Sequence, residues 1–306
     1  MSGFSVKGWC PSALRPMRSG DGLVVRIRPR GGRLSAEQAA GIAALSQHHG
    51  NGLLDLTGRA NLQIRGVSEK SHPLLIVGLD RLGLVDAELQ SETQRNIMVT
   101  PFWRGDDDAP MLGTELECAL AKRSLGLPEK FGFAVDCGES RVLTEAPADI
   151  RIERSIDGNL ILRADGVARG RSMARNAIIH GAIALAEWFA ASGGAPDGQG
   201  RMAAHIAGGA RLPRHLVGES QPAAALAVPK PGVSAVGALV GVAFGQLWGE
   251  TLALLARLGP GLRLAPWRML LVEGLGEMPM AKGLVVRADD PLLRVVACTG
   301  APLCPQ

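Results

Sequence analysis

The chain has 306 residues, 46% hydrophobic and 20% charged, with a formal net charge of +4, proportions that exclude a disordered chain and allow a sizeable core. Its polar, proline-broken start lacks the form of an export signal. Its most apolar window, 233–249, is interrupted by glycines, so the expectation is a cytoplasmic protein outside the membrane.

In chain order, "LVVRIRP" (23–29) alternates apolar and polar residues and predicts a half-buried strand. A helix follows over "AEQAAGIAALSQHH", with Ser35 as N-cap and Gln38 completing a capping box. Gly50 is expected to close it in the left-handed conformation, and His48 and His49 suit the negative end of its dipole. "GLLDLT" and "ANLQIRGV" predict two strands around a turn, which gives a β-α-β-β unit. Beyond it, "QRNIMVTPFW" reads as extended and "TELECALAKRSLGL" as helical. "KFGFAVDCGE" reads as a strand, and "IRIERSIDGNLILRAD" as a hairpin around Asp157-Gly158. A helix is predicted over 172–192, capped by Ser172, with "GGAPDGQGR" after it as a flexible linker.

The first unit then recurs. "ALVGVAF" predicts a strand, "GQLWGETLALLARLG" a helix and "GLRLAPWRMLLVEGL" two strands. Leu56, Leu62 and Gly66 correspond to Leu264, Leu270 and Gly274 at a constant offset of 208. An internal duplication follows, with the two halves expected to pair into one sheet about a pseudo-twofold axis.

Arg supplies 27 of the 33 basic residues. Either a GC-rich genome or a ligand rich in carboxylates accounts for that excess, because the guanidinium fork matches an oxyanion. Nucleic acid is disfavoured by the absence of a compact basic run and of any Tyr. Arg59, Arg95 and Lys130 each interrupt a strand-like run, where a charge needs a partner or a solvent-filled cleft. The six His form no metal-binding spacing, and no nucleotide-binding glycine pattern is present. Five Cys without an export signal favour reduced thiols. Cys10, Cys118 and Cys137 are scattered, whereas Cys298 and Cys304 flank a Gly/Pro loop and read either as a thiol pair or as part of a metal or cluster site.

The segments "GWCPSALRPMRSGDGLVVRIRP", "NGLLDLTGRANLQIRGV", "APWRMLLVEGL" and "DPLLRVVACTGAPLCPQ", in that order, resemble the precorrin-3B synthase family of the nitrite/sulfite reductase superfamily. The resemblance covers essentially the whole chain. It implies an α+β fold in which duplicated ferredoxin-like half-domains alternate with cluster/haem-type α/β domains. The expected boundaries are 1–72 and 226–280 for the half-domains, with 73–225 and 281–306 as the first α/β domain and the start of the second. It further implies that Arg59, Arg95 and Lys130 line an anion or tetrapyrrole pocket, with Gln63 as an additional polar group. Cys298 and Cys304 match the first pair of four [4Fe-4S] ligands.

Two departures stand out. Gly132 occupies the place of a second pocket lysine, and the later C-x3-C pair is absent, so the resemblance makes a C-terminally shortened chain the expectation. The implied activity is O2-dependent hydroxylation of precorrin-3A with lactone formation in aerobic cobalamin synthesis. The cluster, a mononuclear iron and an electron donor such as NADH acting through a reductase would serve it. The alternatives are a siroheme-dependent nitrite or sulfite reductase, and an inactive fragment or tetrapyrrole-binding module.

Overall fold

The computed structural model describes residues 10–295. In chain order β1 (Met17–Ser19), β2 (Gly22–Ile27), β3 (Arg33–Ser35), α1 (Ala36–His49), β4 (Leu53–Leu56), β5 (Leu62–Val67), α2 (His72–Arg81) and α3 (Leu89–Gln94) come first. A middle part contains β6 (Ile97–Val99), α4 (Asp108–Ala121), β7 (Phe133–Asp136), β8 (Ile150–Arg154), β9 (Leu160–Ala164), β10 (Arg171–Ser172), α5 (Ile178–Ala191) and α6 (Met202–Ala207). The last part holds β11 (Gly232–Ser234), β12 (Gly237–Val242), β13 (Gln246–Trp248), α7 (Gly249–Ala256), β14 (Gly261–Ala265), β15 (Met269–Glu273) and β16 (Leu284–Val285). Two units result: Met1–Glu92 with Lys230–Gln306, and Thr93–Pro229.

In the first unit, each half of the repeat builds its own sheet and lends one strand to the other. The sheet orders are β1-β2-β5-β4-β13 and β11-β12-β15-β14-β3. The expected single sheet is therefore two sheets. β3 leaves its own half to pair Arg33 opposite Arg263, while β13 pairs Gln246 opposite Asp55. These exchanged strands are reciprocal, as a pseudo-twofold relation requires.

The backbone records the duplication more fully than the side chains do. Left-handed residues recur in pairs: Gly22 with Gly237, Gly31 with Phe244, Gly32 with Gly245, Ala60 with Arg268, and Gly66 with Gly274. The hairpin registers also match, Ser19 opposite Gly22 and Ser234 opposite Gly237. The offset is 213 from Arg33 to Gln246 and falls to 208 after the helix, because α7 has 8 residues where α1 has 14 and the connection that follows it is one residue longer.

A buried ion pair repeats with its charges exchanged. Arg65 lies 3.4 Å from Asp55, and at the equivalent positions Glu273 accepts from Arg263 at 2.7 Å. The Glu273 carboxylate also receives two bonds, at 2.8 and 2.7 Å, from Arg33 on the exchanged strand. Both guanidiniums hold the Glu273 carboxyl below the usual range, against the opposing effect of burial.

The α1 capping box forms as expected, with Ser35 Oγ accepting from Gln38 N–H at 3.0 Å and Gln38 Oε1 accepting from Ser35 N–H at 3.0 Å. Gly50, however, is extended (φ −122°), and Gly52 takes the left-handed turn at φ +79°. Glycine is needed at 50 for space, since a Cβ there would lie 2.4 Å from the Arg65 carbonyl oxygen. The second helix starts later than its pattern suggests because Gln246–Trp248 is spent as the exchanged strand. Similarly, α5 begins at Ile178, and Ser172 belongs to the β10 edge rather than capping a helix. α4 begins at Asp108, ahead of the stretch whose pattern predicts a helix, and α2 is an element that the sequence pattern does not predict.

The second unit is a mixed sheet of order β10-β9-β8-β7-β6, with β6, β7 and β8 parallel. α4 and α5 close a core in which Phe131 packs edge-on to Phe133 and against Phe189. Asp136, at the end of β7, is 1% exposed. Its Oδ2 accepts from the Val142 and Leu143 N–H groups at 2.8 and 2.7 Å, while Oδ1 has no partner. Burial raises its pKa to about 6 despite those two donors. A carboxyl with a folded pKa above its unfolded value stabilises most when protonated, and that contribution is lost as pH rises from about 4 through 6. The stability difference between wild type and Asp136→Asn is therefore expected to move by about 2 kcal/mol in favour of the variant between pH 4.5 and 7. Urea titrations at the two pH values measure it, and a pH-independent difference would contradict the assignment.

Candidate functional site

The hairpin between β4 and β5 is closed by Thr57, whose hydroxyl accepts from the Arg59 and Asn61 N–H groups at 3.3 and 3.2 Å. Ala60 takes the left-handed position at φ +54°. This tight tip carries Arg59 at its apex. Strand alternation then sends Leu62 and Ile64 into the core beside α1 and turns Gln63 to the other face.

On that face a polar row crosses four strands, with Arg26 opposite Gln63, Gln63 opposite Asp55, and Asp55 opposite Gln246. With its amide oxygen turned toward Arg26, Gln63 accepts from Nε at 3.2 Å and Nη2 at 2.9 Å. Burial raises the Asp55 pKa, and the Arg65 guanidinium opposes that shift. Arg65 itself is a strut: it grips Asp21 through two bonds of 3.0 and 2.8 Å and reaches Ser19 Oγ at 3.0 Å. The second tip, carrying Trp267 and Arg268, adjoins the first, since a Cβ on Gly58 would stand 3.8 Å from the Pro266 carbonyl oxygen.

Arg95 and Lys130 belong to the second unit. Arg95 is buried, with Nη1 3.8 Å from Glu117 Oε1 on α4, while Lys130 is exposed. One side chain brings their two segments together. The Asn96 amide donates to the Glu129, Phe131 and Thr93 carbonyls at 2.7, 3.2 and 3.3 Å. The Phe133 N–H returns a bond to the Asn96 carbonyl at 2.8 Å. Gly132, at the place of the second pocket lysine, is buried, and both its backbone groups are engaged. Its N–H donates to Asp149 at 2.9 Å, and its carbonyl accepts from the Asp149 and Ile150 N–H groups at 2.7 and 3.2 Å.

Sequence reasoning missed Arg26, Asp55 and Asn96. Arg26 is the polar member of the alternating "VVRIR" run and Asn96 follows Arg95 directly, so both stood within motifs already singled out. Asp55 was hidden, because its role depends on the strand borrowed from the other half.

Among the described residues, no group of three or more His, Cys, Asp or Glu is placed to hold a metal ion. Cys137 is buried, its thiol donates to the Ile152 carbonyl at 3.6 Å, and burial pushes its pKa far up. It therefore stays a thiol and is unsuited as a thiolate ligand. Neither Cys10 nor Cys118 is in a disulfide, and Cys118 is exposed. The described residues thus do not by themselves fit an iron–sulfur cluster, and Cys298 and Cys304 lie outside them. No helix is long and apolar enough to cross a membrane among the described residues.

Comparison with known proteins agrees with this architecture. Residues 15–81 match the nitrite/sulfite reductase ferredoxin-like half domain. A precorrin-3B synthase from Sinorhizobium sp. is 30% identical over 97% of this chain and 70% of its own length. A ferredoxin–nitrite reductase from Synechococcus elongatus is 29% identical over 42% of this chain and 27% of its own. The solved structure of the Mycobacterium tuberculosis NirA protein superposes with a TM-score of 0.56 at 17% identity. It covers 83% of this chain and 54% of that one, a likeness of fold alone. With a relative of that identity aligned along nearly its whole length and the half-domain in place, this oxidoreductase-type chain belongs to the precorrin-3B synthase family, within the nitrite/sulfite reductase superfamily.

Proposed function

We propose that the protein hydroxylates precorrin-3A with O2 and reducing equivalents, closing an acetate side chain into a γ-lactone. The observation that carries this reading is the polar face of the first half-domain, where Arg26 and Gln63 form a row beneath the Arg59 tip. Guanidinium forks suit a substrate bearing many carboxylates, because each pair forms two charge-assisted bonds and fixes orientation. In this reading Arg59 and Arg26 hold carboxylates at the first half-domain, Gln63 keeps the Arg26 fork aimed, and Arg95 and Lys130 serve as further anion contacts. Cys298 and Cys304 are proposed as two ligands of a [4Fe-4S] cluster, which supplies electron transfer when bound. A mononuclear iron and an electron donor such as NADH acting through a reductase complete the requirement, in a cytoplasmic setting.

Incubation with precorrin-3A, O2 and a reductant is expected to yield a product one oxygen atom heavier by mass spectrometry. Arg59→Met is expected to lower kcat/KM about a hundredfold, the loss of one bidentate carboxylate contact. Iron and acid-labile sulfide analysis of the same preparation counts the cluster. A siroheme Soret band together with nitrite or sulfite turnover, and no precorrin-3A product, would replace this reading by a siroheme reductase.

A further inference from the structure

We propose that a cavity at the opposite end of β4 from the Arg59 tip binds a small zwitterion of the amino-acid class. The cavity has a volume of about 550 Å³ and is lined by Gln47, Asn51, Gly52, Trp248, Glu250 and Lys282, among others. That volume lies in the range of small-molecule sites. β13 runs antiparallel to β4, so that Trp248 lies opposite Leu53 while Gln246 lies opposite Asp55. Four residues of strand separate Leu53 from Thr57, about 13 Å along the strand, which makes this a second site distinct from the hairpin tip.

The Asn51 side chain is engaged, accepting from the Leu53 N–H at 3.0 Å and donating to Asp21 Oδ2 at 3.4 Å, but the two charged side chains of the lining are not. Glu250 and Lys282 carry opposite charges on one cavity, yet among the described residues neither has an ion-pair or side-chain hydrogen-bond partner. Thr251 Oγ1 donates to the Lys282 carbonyl at 3.2 Å, which ties the Lys282 backbone to the first turn of α7 without closing the charges on each other. Among the described residues the Gln47 side chain likewise has no hydrogen-bond partner. Trp248 is 48% exposed, and Gly52 leaves the wall open, since a Cβ there meets nothing within 4 Å.

A simple anion in this space would face Glu250, a simple cation would face Lys282, and a neutral ligand would leave both charges unanswered. A ligand bearing carboxylate and ammonium answers both, with an apolar or flat body against the indole.

Calorimetric titration of the full chain with L-phenylalanine and L-leucine is expected to show saturable binding by at least one. N-acetyl-L-phenylalanine, without the ammonium, and phenethylamine, without the carboxylate, are expected to bind at least about tenfold more weakly than L-phenylalanine. E250Q should weaken the zwitterion about tenfold while leaving N-acetyl-L-phenylalanine unchanged, and K282M should do the converse with phenethylamine. Both residues are exposed, so circular dichroism should show intact folding. No saturable heat for either amino acid up to about 10 mM, or wild-type affinity for the zwitterion in both variants, would overturn the proposal.

Discussion

Replacing Asp149 by alanine is expected to destabilise the second unit by about 3–5 kcal/mol. Asp149 is fully buried and serves three donors. Its Oδ2 accepts from the Gly132 N–H at 2.9 Å, and its Oδ1 accepts from the Met202 N–H at 2.8 Å and Arg201 Nε at 2.8 Å. Alanine strands two buried N–H groups, each worth about 1–3 kcal/mol, and leaves a partly buried guanidinium without its counter-charge. Asp149→Asn should recover about half of the loss, because its one oxygen still accepts while its amide nitrogen confronts a donor. Hydrogen exchange of the Gly132 and Met202 amides, followed by mass spectrometry, reads the effect locally. Unchanged protection in the alanine variant would show that these bonds do not hold the loop. Gly132 lies two residues from Lys130, so the same loop carries one of the proposed anion contacts.

Gly237→Ala should be comparably severe in the first unit. Gly237 has φ +145°, and a Cβ there would sit 2.0 Å from the Val272 carbonyl oxygen, so the β11–β12 hairpin must lift from β15. The combined left-handed strain and steric overlap predict about 4 kcal/mol, a fall of about 10 °C in Tm for a domain of this size. Gly22→Ala, its counterpart, meets Val67 O at the milder distance of 2.9 Å and should cost less. If the order of the two were reversed, the structural equivalence of the hairpins would be in question.

The elements carrying local signals were legible in the sequence. Ser35 and Gln38 announce α1, and Asp157-Gly158 announces the β8–β9 hairpin. The 208 offset exposed the duplication because β4 and β5 keep their spacing, whereas the stretch before the helix lost register when α7 shortened. Strand exchange was not legible, since no local preference tells Gln246–Trp248 to leave its own helix and pair with β4. The charge-exchanged pairs, Asp55–Arg65 and Arg263–Glu273, escaped for a related reason: identity matching cannot see a conserved interaction whose partners have swapped. Arg59 and Gln63 were readable within one motif. The joining of the Arg95 and Lys130 segments was not, because it depends on an amide reaching three carbonyls up to 35 residues away.

The reciprocal exchange of β3 and β13 also constrains the order of assembly. Arg33 must meet Arg263, and Asp55 must meet Gln246, so neither half-domain can complete its sheet from its own residues. The second unit, Thr93–Pro229, is one continuous stretch and can condense as soon as it leaves the ribosome. During synthesis the first half therefore waits with β4 as a bare edge, open to the wrong partner, until β13 emerges. Such long sequence separation makes closure of the first unit the slow step in folding. A charged Asp55 in the middle of that waiting edge strand disfavours wrong pairing until its partner strand arrives.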